Sequence, residues 1–257
     1  MGDAGMFSHS VALIVGGNGK TARHLTGLLT AAHTKVYSII RNEAQIPDLE
    51  ALGAHPIVQD LVSGTVDDFR SIIERVRPTT VFWAASNPRS PFEVDRDGAI
   101  KLLDALAAAD VPSKRYVAIS AADIRDRERP VPDWYSDADA RLSDRMWGII
   151  GPALRAKFEA DRDLVTRNKT RGLRYTIVRP GGLVETPPVG RARAGKVGLV
   201  GMISREDLAA ALFAVAENGE TVGLAFDLLG AGDGDEPLRD AVAGVAERRE
   251  DTFEGYY

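Results

Sequence analysis

The stretch Leu13–Ala22, LIVGGNGKTA, carries two phosphate-binding readings at once. Read through Gly19-Lys20-Thr21, it ends like a P-loop for a nucleoside triphosphate. Such a loop needs another glycine five positions earlier, so that consecutive backbone N–H groups curl around the phosphates. That position is Ile14, inside an apolar run, and the triphosphate reading fails on spacing. Read through Gly16, Gly19 and Ala22, the stretch is a strand, a tight turn and a helix start, which suits the pyrophosphate of a dinucleotide. Gly16 and Gly17 permit the turn, Gly19 lets backbone approach the phosphates, and Asn18, Lys20 and Thr21 complete the loop. Ala22 is small enough for the helix to pack on the sheet, with its N-terminal dipole aimed at the phosphates.

The next strand chooses between cofactors. An NAD site usually ends it with a carboxylate on the ribose 2′-hydroxyl. Here it runs VYSIIRN, with no acid and with Arg41 at its tip. A guanidinium there meets a 2′-phosphate through paired charge-assisted hydrogen bonds, which points to NADP(H); an ordinary surface arginine is the plainer alternative. Lys20 offers a second positive charge. Asp60 and Leu61 end the third strand, where the carboxylate could accept from an adenine amino group and the leucine could cover the ring. A strand-end cap explains Asp60 equally simply. Ala84, Ala85 and Ser86 end the fourth strand with side chains small enough for a cofactor to pass over the sheet edge.

These positions need a repeating frame to hold them. Short apolar runs at 11–15, 36–40, 56–59, 80–85, 115–120 and 175–178 alternate with helical patterns at 21–32, 43–52, 66–75, 91–109 and 146–171. The alternation predicts an α/β fold with a doubly wound parallel sheet of Rossmann type. No polar linker or solenoid-scale repeat divides 1–257, so one domain is expected. Arg125–Arg145 is dense in charge, and Gly181–Gly201 is rich in glycine. They predict substrate-side loops at about 121–150 and 181–202, on the carboxyl edge of the sheet where such folds bind ligands. Solvated surface loops are the alternative, although long loops in compact domains more often carry function.

Composition narrows the partners. A net charge of −5 leaves no basic excess for nucleic acid. The absence of cysteine removes disulfides, zinc-thiolate sites and thiol nucleophiles. His9, His24, His33 and His55 show no metal-ligand spacing, so no metal is expected. No apolar run approaches the roughly 18 residues that cross a bilayer, and the first ten residues lack a signal-peptide pattern. A cytoplasmic protein acting on a small molecule, as monomer or homodimer, is the expectation.

As a set, VGGNGKTA, IIRN, DRDGAIKLLDALAAADV, RYVAISA, RAKFEADRDLV, YTIVRPGGL and ISREDLAAAL resemble the atypical short-chain dehydrogenase/reductases. The likeness is to the NAD(P)H-binding branch with NmrA-like and flavin-reductase-like members, near a fungal-type subgroup. It implies that Ser120 polarises a substrate carbonyl and that Lys157 holds the nicotinamide ribose. It also places Pro180, Gly181, Gly182 and Leu183 along the nicotinamide. The superfamily's proton-donating tyrosine, four residues before the lysine, corresponds here to Ala153. Flavin-reductase-like relatives manage without it, because their acceptors take a proton from solvent.

Tyr135 is open to three roles: a substitute proton donor, a pocket wall together with Trp134 and Trp147, or an exposed loop residue. Tyr116 and Tyr175 lie in strand patterns and read as core. Ser204 and Asp207 read as a helix cap, with Arg205 either on the surface or reaching across the cleft. The leading expectation is NADPH-dependent reduction of a small hydrophobic or aromatic acceptor. A cofactor-binding sensor without redox chemistry and a non-redox isomerase, dehydratase or cyclase are the alternatives.

Overall fold

The computed structural model describes residues 10–230, 232 and 234–257; His9 lies outside the described residues. The apolar runs become β1 (Val11–Val15), β2 (Lys35–Ile40), β3 (His55–Val58), β4 (Thr80–Trp83), β5 (Arg115–Ile119) and β6 (Arg174–Pro180). With β8 (Arg191–Gly195), β10 (Leu224–Leu229) and β11 (Glu236–Pro237) they form one nine-stranded sheet, ordered β11-β8-β10-β6-β5-β4-β1-β2-β3. From β3 to β10 every pairing is parallel, whereas β8 joins β10 antiparallel. Ala12, Leu13, Ile14 and Val15 are all buried, as continuous apolar strands covered on both faces must be.

Helices α1 (Lys20–Ala31), α6 (Arg205–Glu217) and α7 (Leu238–Arg248) cover one face through Leu25, Leu29, Leu208, Leu212 and Val245. Helices α3 (Val66–Val76), α4 (Ala99–Ala108) and α5 (Asp137–Arg171) cover the other through Phe69, Ile73, Leu102, Leu106 and Leu164. A short α2 (Ile46–Glu50) links β2 to β3. Strand order reverses between β1 and β4, and that switch point opens the ligand crevice at the carboxyl ends of the strands.

Three elements differ from the sequence pattern. The expected helix 91–109 begins as a widened, π-helical segment, Phe92–Gly98, before α4. This winding turns Asp95 inward until it is 2% exposed. Helix α5 starts at Asp137, so the first expected loop ends at residue 136 rather than near 150. Its first turns lack an apolar stripe and are held by a reciprocal cap between Ser136 and Asp139. Asp139 also accepts from Leu199 N–H at 2.6 Å, tying the two expected loops together. A kink at Ile150, two residues before Pro152, interrupts α5.

The second expected loop contains β7 (Gly182–Val184) and β8, and runs into β9 (Met202–Ser204); β7 pairs with β9 in a separate two-stranded sheet. Three- to five-residue strands among glycines leave too little alternation to be seen in sequence. The final segment folds back on the body. Thr252 N–H donates to Ala225 O at 2.8 Å, Asp126 N–H donates to Tyr256 O at 2.7 Å, and Phe253 packs edge-on against Phe158.

Candidate functional site

The glycine turn is shaped by what surrounds it. Gly16 has φ of +80°, and a Cβ there would lie 2.6 Å from Ala85 Cα. A Cβ on Gly17 would lie 2.4 Å from Ser38 Cβ. Both N–H groups donate to Ile39 O at 3.1 Å, and Gly19 N–H closes the turn on Gly16 O at 2.9 Å. Gly19 is the N-cap of α1 and no side chain caps the helix. The first-turn N–H groups are therefore left for an anion, with the helix dipole behind them. Thr21 and Ala22 are buried beneath the turn.

This turn forms one end of a cleft of about 670 Å³. Gly16, Asn18, Gly19, Arg41, Asp60, Leu61, Ala84, Ala85 and Ser86, all singled out by sequence, line it together. Arg41 is exposed and takes part in no ion pair among the described residues. Asp60 does act as a strand-end cap: its Oδ1 accepts from the N–H groups of Val62 and Ser63 at 2.8 Å. The Ser63 N–H bond is the main reason its pKa is lowered, with the nearby charge of Arg41 adding to it. Gln45, Gln59, Asn87 and Arg89 also line the cleft and carried no signal in sequence.

Lys20 corrects one expectation. Its Nζ pairs with Glu185 at 2.9 Å instead of joining Arg41, and Arg205 Nε meets the same carboxylate at 2.7 Å. Glu185 follows β7, so this contact ties the glycine turn to the segment after β7 and to the first residue of α6. Glu185→Gln is expected to free both cations and tighten dinucleotide binding roughly two- to fivefold at low salt, the range for an exposed pair. Calorimetric titration at two salt concentrations checks it; unchanged affinity would mean that neither cation reaches the pyrophosphate.

Ser120 and Lys157 come together at a second, smaller cavity of about 10 Å³, lined also by Asp95, Tyr116 and Asp161. That volume is on the scale of one water molecule. Lys157 Nζ lies 2.9 Å from Asp95 Oδ1, and Asp95 Oδ2 accepts from Asn87 N–H at 2.9 Å. Asp95 thus joins the small cavity to the wall of the cleft. Ser120 Oγ donates to Asp161 Oδ2. Burial pushes the Asp161 carboxyl up to about 6, opposed by the Ser120 hydrogen bond and by the charges of Arg179 and Lys157.

Tyr135 lines neither cavity. Its phenol is held far above its ordinary pKa by burial and by the carboxylates of Asp227 and Asp123. Trp147 lines neither cavity, and its Nε1–H donates to Asp123 Oδ2 at 3.0 Å. Trp134 stacks edge-on against Tyr135 and Tyr256. These aromatics pin the loop and the C-terminal segment to the body. Tyr116 and Tyr175 are core residues, 2% and 8% exposed.

Pro180–Leu183 lie outside both cavities. Pro180 O accepts from Ala122 N–H at 2.9 Å, Gly181 N–H donates to Leu228 O at 3.0 Å, and Gly182 and Leu183 belong to β7. Ser204 caps α6 by accepting from Asp207 N–H at 2.9 Å, while the Asp207 carboxylate holds the N–H groups of Val189 and Gly190.

A family model described as NAD(P)H-binding matches residues 16–219, which span the glycine turn, both cavities and α6. The chain belongs to this NAD(P)H-binding family. It is the branch of the atypical short-chain dehydrogenase/reductases that the motifs resemble. Within it, the chain is 31% identical to the UPF0659 protein C216.03 of Schizosaccharomyces pombe, over 95% of this chain and 98% of that one. It is 30% identical to a Bacillus subtilis protein named an uncharacterized sugar epimerase, YhfK, over 89% and 97%. The solved structure of the oxidoreductase ylbE from Lactococcus lactis shares the fold, with a TM-score of 0.74 at 20% identity, over 92% of this chain and 97% of that one. The cleft, with its bare helix start and crowded glycines, fits a nicotinamide dinucleotide, the ligand class of the NAD(P)H-binding family.

Asp161 is the residue at the family site that sequence reading passed over. It stands four residues after Lys157, a spacing that puts both on one helix face. No helix among the described residues is long and apolar enough to cross a membrane.

Proposed function

We propose that the protein is an NADPH-dependent reductase of a small hydrophobic or aromatic acceptor. The observation that carries this reading is Arg41: it lines the cofactor cleft with no ion pair among the described residues, on a strand end that lacks the usual carboxylate. When bound, the reduced nicotinamide supplies a hydride. The protein's residues do the rest. The turn at Gly16–Gly19 and the start of α1 bind the pyrophosphate, and Arg41 takes the 2′-phosphate. Lys157, anchored on Asp95, presents an ammonium for the ribose. Ser120 offers a hydroxyl to the acceptor. Along α5, just before Ala153, Met146, Ile149 and Ile150 are exposed around the kink, an apolar lip that suits a hydrophobic acceptor.

Arg41→Ala is expected to remove roughly tenfold preference for NADPH over NADH, about 1.4 kcal/mol. Binding of the four nicotinamide dinucleotides, followed by tryptophan quenching, measures it. A wild-type protein with no such preference would sink the NADP assignment. The name of the Bacillus subtilis relative favours a second reading, epimerisation with the nicotinamide reoxidised and reduced within one turnover. Substrate turnover with no net change in nicotinamide absorbance would select it.

A further inference from the structure

We propose that Asp161 stores the proton for this reduction and delivers it through Ser120, in place of the phenol that Ala153 lacks. The inference rests on the reductase reading and deepens it. Several of the buried carboxylates have a cation of their own. Asp95 pairs with Lys157 at 2.9 Å, Asp123 with Arg125 at 3.0 Å, and Asp227 with Arg179 at 3.1 Å. Asp161, 7% exposed, forms no ion pair among the described residues. Its hydrogen bond is from the Ser120 hydroxyl, which lines the same small cavity as Lys157.

Burying a carboxylate is costly and shifts it toward the neutral acid. The groups facing Asp161 are Lys157 on its own helix, Asp95 on the π-helical segment, Tyr116 on β5, Ser120 immediately after β5, and Arg179 on β6. Tyr116 is held neutral by burial. Lys157 and Arg179 are shared with Asp95 and Asp227, so they hold back the rise in the Asp161 pKa without cancelling it. The carboxyl is therefore poised to change state near neutral pH, as a proton donor must.

The step balances as follows. A bound reduced nicotinamide would supply the hydride to the acceptor, and the electron pair displaced there would come to rest on a carbonyl oxygen. With Asp161 protonated the hydrogen bond runs the other way, the carboxyl donating to Ser120 Oγ; the hydroxyl then gives its own proton to that oxygen and takes the proton of Asp161. The nicotinamide leaves oxidised, the acceptor leaves as an alcohol or hydroquinone, and the Asp161 carboxylate is reprotonated by water. Asp161 acts through Ser120 and does not touch the acceptor.

The test has two readouts. In cofactor-free protein labelled with [4-¹³C]aspartate, a carboxyl resonance with a midpoint of about 6 should be present and should be the one that vanishes in Asp161→Asn. In turnover of NADPH with a quinone acceptor, wild-type kcat should fall as pH rises past that midpoint. Asp161→Asn should lower kcat roughly 100-fold and abolish the step, within the range for general acid catalysis. Asp161→Glu should restore a displaced step. If Asp161→Asn fails to fold, Ser120→Ala should keep the NMR titration and lose the kinetic step. A resonance that stays ionised down to pH 4, or an Asp161→Asn enzyme with the wild-type pH profile, overturns the proposal. A wild-type protein that oxidises NADPH with no acceptor overturns the reductase reading itself.

Discussion

Gly19→Val is expected to weaken dinucleotide binding roughly 100-fold while leaving the fold in place. Gly19 has φ of −63°, an ordinary value for a residue with a side chain. A Cβ there would lie 3.2 Å from Gly16 O and 3.7 Å from Ala84 O, against the cleft and outside the core. The branched side chain would stand where the pyrophosphate must approach the start of α1. Losing one or two charge-assisted hydrogen bonds there costs about 3 kcal/mol, or roughly 100-fold in affinity. Calorimetry reads the affinity, and a thermal melt within a few degrees of wild type shows that the fold survived. Gly16→Val serves as the contrast. It combines a positive φ with collision against the Ala85 backbone, so it should destabilise the protein as well. If Gly19→Val bound NADPH as wild type does, the turn would not be the pyrophosphate site.

Arg179→Met is expected to cost about 3–5 kcal/mol of stability, the penalty for stripping one partner from a buried ion pair. Arg179 is 2% exposed. Its guanidinium meets Asp227, the carbonyl of Ile124 at 2.7 Å and the hydroxyl of Thr252 at 3.1 Å. Neither oxygen of Asp227 accepts a well-aligned hydrogen bond among the described residues, so this charge is its main compensation. Chemical denaturation measures the loss, and Asp227→Asn in the same chain should recover much of it.

The pH dependence of this pair has a definite sign. Burial pushes the Asp227 carboxyl up to about 7, with Arg179 opposing and Asp123 adding to the rise. A carboxyl that binds its proton more tightly when folded stabilises most below its ordinary pKa, and that contribution is lost as pH rises through the folded value. Wild type measured against Asp227→Asn should therefore lose ground steadily between pH 4 and 7. A difference that stays flat over that range would show that Asp227 is ionised throughout.

The parallel strands could be read from sequence because burial on both faces demands unbroken apolar runs, as in Val11–Val15. The turn was equally legible, since Gly16 and Gly17 are fixed by contacts with Ala85 and Ser38 that admit no side chain. The start of α5 was not. Asp137–Arg145 is polar on every side, and what makes it helical is a cap at Ser136 and a distant tie from Asp139 to Leu199. The buried charges were invisible for a related reason. Asp95, Asp161 and Asp227 look like solvated residues until the fold brings Lys157, Ser120 and Arg179 to them. Lys20 shows the reverse: its type and place suggested a phosphate contact, and only the fold reveals Glu185 beside it.

The widened turn at Phe92–Gly98 makes chain length itself a determinant of the site. Such a bulge fits an extra residue into a helix without breaking it. Deleting one residue from this segment would let it relax to ordinary winding and rotate everything before the deletion by about 100° relative to α4. With the deletion after Asp95, its carboxylate would swing away from Lys157 and from the Asn87 N–H that it now bridges. The composition of the chain would hardly change, yet the link between the cofactor cleft and the proton-bearing cavity would be cut. Insertions and deletions in this segment are therefore a sharper filter on activity than most substitutions in its side chains.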